Sequence, residues 1–165
     1  MQRSLPLWGS SYLDLRRPDG ETLERLNGMP EKVKLRPVDA VTRAVGFRAV
    51  SAPPGRDRGV DIVAHPDPFG FERPRIKVQV KHKRNAAGGP EIRAFLGTLH
   101  PGDNGLFVST GGFTSDAILE AERSREPVKL LDLDGFIQLL IEHYETLNPE
   151  YKAKVPLRKV WVPTE

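Results

Sequence analysis

From Arg75 to His82 the side chains alternate without a break, Ile76, Val78 and Val80 on one side and Lys77, Gln79 and Lys81 on the other. Successive side chains of an extended chain point to opposite faces, so the segment predicts a β-strand with one face for a core and one polar face. Such a strand needs neighbours, and the sequence supplies them in both directions. Upstream, Phe47 to Ser51 and Val60 to Ala64 read as strands, separated by a polar loop from Pro53 to Gly59. A proline-rich connection, His65 to Pro74, leads into Arg75. Links this short predict an antiparallel meander. Downstream, Pro90 opens a helix with Ile92, Phe95, Leu96 and Leu99 at helical spacing, and Gly102 to Gly105 ends that unit. The continuous apolar run Leu106-Phe107-Val108 then suits a central strand covered on both faces. Thr114 caps a further helix, with Phe113 placed to staple onto Ile118, and Val128 to Leu133 is the last strand. Asp134 is expected to cap the longest helix, whose Phe136, Leu139, Leu140, Tyr144 and Leu147 form one apolar stripe. Helical crossovers between strands predict parallel pairing with right-handed connections. The expected class is α/β, a mixed central sheet of three antiparallel strands followed by parallel ones, flanked by helices.

A chain of 165 residues suits one such domain. Residues 1–35 hold no sustained period and are broken by Pro6, Gly9, Pro18, Gly20, Gly28 and Pro30, so they read as an irregular N-terminal arm with a short helix at Glu21 to Leu26. The first helix of the domain is expected to open at Pro37, with Val38, Val41 and Val45 on one face and Gly46 at its end. The folded unit is therefore placed at 36–165, with a C-terminal tail from about residue 148. The chain has no cysteine, which excludes disulfide scaffolds, thiolate zinc sites, iron–sulfur ligation and cysteine nucleophiles. The start has one Arg and only a broken apolar stretch around Leu5 to Trp8, too short for a signal peptide, and no later run approaches the roughly 20 apolar residues of a membrane span. A soluble, cytoplasmic protein without membrane contact is expected.

Charge points to a partner. The formal net charge is only +3, but Arg73, Arg75, Lys77, Lys81, His82, Lys83 and Arg84 fall in one segment with no acid after Arg73, whereas Asp132, Asp134, Glu142 and Glu145 gather near the last helix. A basic segment of this kind favours a polyanion. Taken alone, the Lys-Gln-Lys alternation is an ordinary solvated sheet face. Asp61 changes that reading, because an antiparallel register can place it beside Gln79 and Lys81.

An Asp on one strand, eighteen positions before the first residue of Gln79-Val80-Lys81 on the next, resembles the active-site signature of the PD-(D/E)xK nucleases in the Gln-x-Lys form of Mrr-like restriction endonucleases. The likeness includes Gly46-Phe47, Gly59-Val60-Asp61-Ile62, Val78 to His82 and Val108 to Thr114, and runs from about Pro37 to about Val162. It implies a restriction-endonuclease-like fold and metal-dependent hydrolysis of DNA in restriction or defence. Asp61, Gln79 and Lys81 become the catalytic residues. Cleaving a phosphodiester needs a hard cation, a positioned water and positive charge where the transition state becomes more anionic. The Asp61 carboxylate, the Gln79 amide oxygen and the Val80 main-chain carbonyl can hold Mg2+, with Mn2+ able to substitute. Lys81 would orient or deprotonate the water, or hold the phosphate. Arg58, Arg75, Lys77, His82, Lys83 and Arg84 are expected to contact DNA.

Two positions depart from the family pattern. A Phe-Glu pair is usual near the start of the first helix, where this chain has Lys34 and Leu35, and Glu31 stands one turn too early. The loop before the catalytic Asp commonly reads Asp-Gly-Gly, where this chain has Asp57-Arg58-Gly59. A non-catalytic DNA-binding module on the same fold is the competing reading. A structure-selective nuclease of the junction-resolvase type is a third, although those usually carry Glu where Gln79 stands. A homodimer is compatible with any of them. Gly111 and Gly112 precede a helix and could hold a phosphate at its N-terminus, but no Gly-Lys-Ser/Thr follows them, and a plain strand-to-helix turn is the favoured reading. His65, His100 and His143 lack metal-ligand spacing.

Overall fold

The computed structural model describes residues 31–51 and 59–157. The N-terminal arm up to residue 30, the loop containing Arg58 and the last eight residues lie outside them. Helix α1 (Glu31–Ala44) leads to β1 (Arg48–Ser51), β2 (Ile62–His65) and β3 (Arg75–Lys81). Helix α2 (Gly89–Leu96), β4 (Asp103–Ser109), α3 (Ser115–Glu122), β5 (Val128–Asp132) and α4 (Leu133–Glu142) follow, then a 3₁₀ turn (Tyr144–Thr146) and α5 (Pro149–Lys154). The sheet order is β1-β2-β3-β4-β5, antiparallel between β1, β2 and β3 and parallel from β3 onward. This is the expected mixed sheet.

Its two faces carry separate cores. On one, Ile62, Ala64, Val78, Val108 and Leu131 pack against Val38 of α1 and Phe136 and Leu139 of α4. On the other, Phe107 meets Ile92 and Phe95 of α2 and Ala117 of α3, with the Phe95 and Phe107 rings edge to face at 5.4 Å. Phe107 and Val108 thus serve opposite cores, as a doubly covered central strand requires.

Several elements differ from the sequence reading. Helix α1 starts at Glu31, not Pro37, so the proline lies inside it and the helix takes in residues 31–35 of the expected arm. A proline there removes only one i→i−4 bond, and Val38, Ala40 and Val41 bury the helix against β1 and α4 strongly enough to keep it. Strand β4 begins at Asp103, within the stretch read as the end of the preceding unit. Helix α4 is capped by Asp132, whose carboxylate accepts the Gly135 N–H at 2.8 Å, and Asp134 falls in its first turn. At fourteen residues α1, not α4, is the longest helix among those described. From residue 148 the chain is not a plain tail: Asn148 caps α5, and Tyr151 packs with Leu140 and Leu147. No helix among the described residues is long and apolar enough to cross a membrane.

Candidate active site

Strands β2 and β3 pair through Ile62↔Val78, and the ladder stops there. The next residue toward the open end, Asp61, donates its N–H to the Val78 carbonyl at 2.8 Å. Its carboxylate Oδ2 accepts the Val80 N–H at 2.7 Å, taking the place of a strand partner. The N–H and C=O of one strand residue point to the same edge, so the Val80 carbonyl is directed toward the Asp61 side as well. The main chain itself therefore fixes the Asp61 carboxylate where β2 and β3 part.

Gln79 lies opposite this point and is only 7% exposed. Its amide sits under Gly59, where an added Cβ would come within 2.6 Å of Nε2, and Gly59 has a φ of +97°. Two independent constraints, space and backbone conformation, thus call for glycine two residues before the aspartate. Lys81 ends β3 in register with the fully buried Ser109 of β4. On the face that carries Lys77, Gln79 and Lys81, Gln79 is buried and both lysines are half-buried, with Lys77 donating to the Thr98 carbonyl after α2, so the reading as a solvated sheet face does not hold.

Beyond Lys81 the loops after β3 and β4 interlock. Thr110 donates its N–H to the Lys81 carbonyl, and its hydroxyl accepts from the Lys83 N–H and donates to the Lys83 carbonyl, each at 3.1 Å. The same hydroxyl lies 3.3 Å from His82 Nδ1. A Cβ on Gly111 would come within 2.3 Å of the Asn85 carbonyl oxygen. The glycine is thus required by close approach of two loops, and the N–H of Gly112 is used within the turn, bonding to Ser109. The plain-turn reading accounts for both glycines.

The cations expected to face DNA are dispersed. Arg75 and Lys77 stand at the far end of β3, where the buried Asp103 carboxylate gathers Arg73 at 3.0 Å, Arg75 at 3.3 Å and Lys77 at 3.1 Å. Lys77 also donates to the Thr98 carbonyl and contacts His100 Nδ1 at 2.7 Å. Burial pushes the Asp103 carboxyl upward, but the His100 N–H and the Lys77 and Arg75 charges outweigh it and hold the group below the usual carboxylate range. Lys83 is bound to Glu91 of α2. Arg84 is exposed. His82 and Lys83 stay near the Asp61–Lys81 end, while Arg58 lies outside the described residues. Sequence reasoning passed over Glu91, Thr110 and Asp103. Gly88-x-x-Glu91 does carry a capping-box spacing, but with Gly in place of Ser or Thr.

No cluster of three His, Cys, Asp or Glu side chains able to hold a metal occurs among the described residues. What Asp61, Gln79 and Val80 offer instead is a mixed oxygen set of carboxylate, amide and main-chain carbonyl. Hard divalent cations accept such donors, so the residues fit Mg2+ or Mn2+.

Fold and site together define a restriction-endonuclease-like domain. A family model described as restriction endonuclease, of the Mrr catalytic type, matches residues 35–140, and the chain belongs to that family. Over 89 residues it is 37% identical to the type IV methyl-directed restriction enzyme EcoKMrr of Escherichia coli (strain K12), a match covering 53% of this chain and 28% of that protein. Among solved structures it resembles the DNA modification-dependent restriction endonuclease AspBHI, with a TM-score of 0.63 and 18% identity over 94% of this chain and 44% of that one. It also resembles the MspJI restriction endonuclease in complex with a 27-mer oligonucleotide, with a TM-score of 0.56 and 19% identity over 94% of this chain and 39% of that one. The chain therefore spans less than half the length of each of these relatives.

Proposed function

We propose that the chain is the catalytic domain of a metal-dependent DNA endonuclease acting in restriction of foreign or modified DNA. The observation that carries this reading is the convergence of Asp61 with Gln79-Val80-Lys81 at the point where β2 and β3 part, on the fold of a restriction endonuclease family. Methyl-directed and modification-dependent enzymes among its relatives support a role in restriction. Asp61, Gln79 and the Val80 carbonyl would hold Mg2+ or Mn2+. When bound, the cation supplies Lewis-acid polarisation of a phosphoryl oxygen. Lys81 then acts on the reacting phosphate: its ammonium stabilises the developing negative charge, or its amine takes a proton from the attacking water. Gln79 stands where an acid is more usual, which leaves the site one negative charge poorer, so the DNA phosphate has to complete much of the cation's coordination. Tight metal binding is accordingly expected only with DNA present.

The test is incubation of the purified protein with supercoiled plasmid, methylated and unmethylated, with Mg2+, with Mn2+ and with chelator. Nicking or linearisation that needs the metal is the expected result. Cutting that persists in chelator overturns the metal mechanism. Tight duplex binding without any cutting would favour the non-catalytic module and point to Leu35, where the family usually has an acid. Two copies would be needed for concerted cleavage of both strands by one-site domains, so linearisation rising with the square of protein concentration would indicate a dimer on DNA.

A further inference from the structure

Lys83 belongs by sequence to the basic run that would face DNA, yet the fold gives it an anion of its own. Its Nζ lies 2.5 Å from Glu91 Oε2, with the Lys83 and Glu91 side chains 30% and 36% exposed. The same carboxylate oxygen accepts the Gly88 N–H at 3.0 Å, so Glu91 is held at the first turn of α2 and cannot swing away without uncapping it. The Lys83 backbone is clamped on the other side by the Thr110 hydroxyl. Glu91 is thus held through the Gly88 N–H and Lys83 through its main chain. The Lys83 hydrogen bond and then the Gly88 N–H hold the Glu91 carboxyl below its ordinary range against a smaller opposing effect of burial, with the charges of Lys83 and Lys81 adding to the lowering. Glu91 therefore carries a full negative charge at neutral pH beside the last residue of the proposed catalytic strand.

We propose that Glu91 is a positioning residue that stands in for a DNA phosphate on Lys83, so that Lys83 reaches the backbone only by exchanging one anion for the other. This rests on the nuclease reading. The consequence is a restraint on indiscriminate duplex binding. A phosphate that merely drifts into range gains little from Lys83, because it must displace Glu91 and leave that carboxylate facing DNA. A correctly docked strand, held by other contacts, makes the exchange at small cost.

The experiment is fluorescence anisotropy of a labelled duplex of arbitrary sequence, without divalent metal, over a salt series. It compares wild type, Glu91→Gln, Lys83→Ala, Arg84→Ala and the Lys83→Ala/Glu91→Gln double variant. Glutamine retains an oxygen for the Gly88 N–H and removes only the charge. The Glu91→Gln variant should bind about fivefold tighter at low salt, with a log K against log salt slope steeper by about 0.9, the contribution of one more released counterion. Lys83→Ala should cost about twofold in the wild-type background and about tenfold in the Glu91→Gln background, a non-additivity that a helix-capping role alone would not produce. An unchanged slope in Glu91→Gln, or equal cost of Lys83→Ala in both backgrounds, overturns the proposal. Should Glu91→Gln fold poorly, the wild-type background still decides: Lys83→Ala must cost less than Arg84→Ala, and equal losses overturn the proposal. A wild type that binds no duplex at any salt defeats the nuclease reading and this inference together, whereas binding with additive losses defeats this inference alone.

Discussion

The two ends of β3 share a face and a composition but not a fate. At the N-terminal end, Arg73, Arg75 and Lys77 converge on Asp103, a carboxylate with no exposed surface, and their charge is used to tie β3 to β4. About 20 Å away by the rise of an extended chain, the Val80 N–H meets the Asp61 carboxylate and Lys83 meets Glu91 where strand pairing has ended and loops begin. The first cluster is closed around its anion. The second lies at an edge where β2 and β3 have parted. A run of basic residues in a sequence is therefore not one surface: what separates binding charge from structural charge is which neighbours the topology brings up to it.

The largest expected effect is at the second end. Lys81→Ala and Asp61→Asn should each lower the rate of plasmid cleavage by a factor on the order of 100 or more while leaving the folded spectrum intact, the loss expected of a group that acts only in the transition state. Excess Mn2+ should partly restore Asp61→Asn and leave Lys81→Ala unchanged. Wild-type rates in both variants would remove the functional half of the comparison.

Asp103→Ala should do the opposite, destabilising the fold with little change in turnover per folded molecule. Uncovering a buried cluster costs about 3–5 kcal/mol when the partners are also buried, and because Arg73 and Arg75 are 48% and 32% exposed, about 2–3 kcal/mol is expected here. Urea denaturation measures it. The same carboxylate sets an acid limb. Its pKa in the folded state lies below its unfolded value, so its contribution is complete above the unfolded value of about 3.9 and is lost as pH falls from there through the lower folded value. Asp103→Asn should flatten stability against pH in that window, and an unchanged acid limb would show that other carboxylates control it.

Gly59→Ala lies between the two kinds of effect. A positive φ costs an L-residue about 1–2 kcal/mol, and the new methyl has to displace the Gln79 amide. A modest loss of stability should accompany a larger loss of cleavage. If stability falls and cleavage per folded molecule does not, Gln79 has no part in the reaction. Arg84→Ala is the smallest, weakening binding to unrelated duplexes a few-fold and reducing the salt slope by about 1. A loss confined to one DNA sequence would mean base reading rather than phosphate contact.

Much of the sheet could be read in advance because its signals are local. The period of two in β3, the short links before it and the doubly apolar Leu106 to Val108 run determine strand, order and direction, and they bring Asp61 opposite Gln79. What escaped notice depends on partners distant in sequence. Asp103 sits among glycines and reads as a turn; only the cations supplied by β3 make its burial tolerable. Pro37 reads as a helix start, and only the packing of the residues after it shows that the helix runs through. Glu91 draws no notice in the sequence because its partner, Lys83, is brought to it by the loop after β3.

Among the described residues the order of strands in space repeats their order along the chain, and every ladder joins strands that follow one another. No strand has to be inserted between two that are already paired. Such a sheet can assemble by accretion, each new strand docking on the edge left by the last, and each step closes only one connection before its contacts reward it. During synthesis, the meander of β1 to β3 would be complete before β4 leaves the ribosome. The residues proposed for chemistry are all carried by that meander, so they would be synthesised before the second half of the sheet that pairs with them.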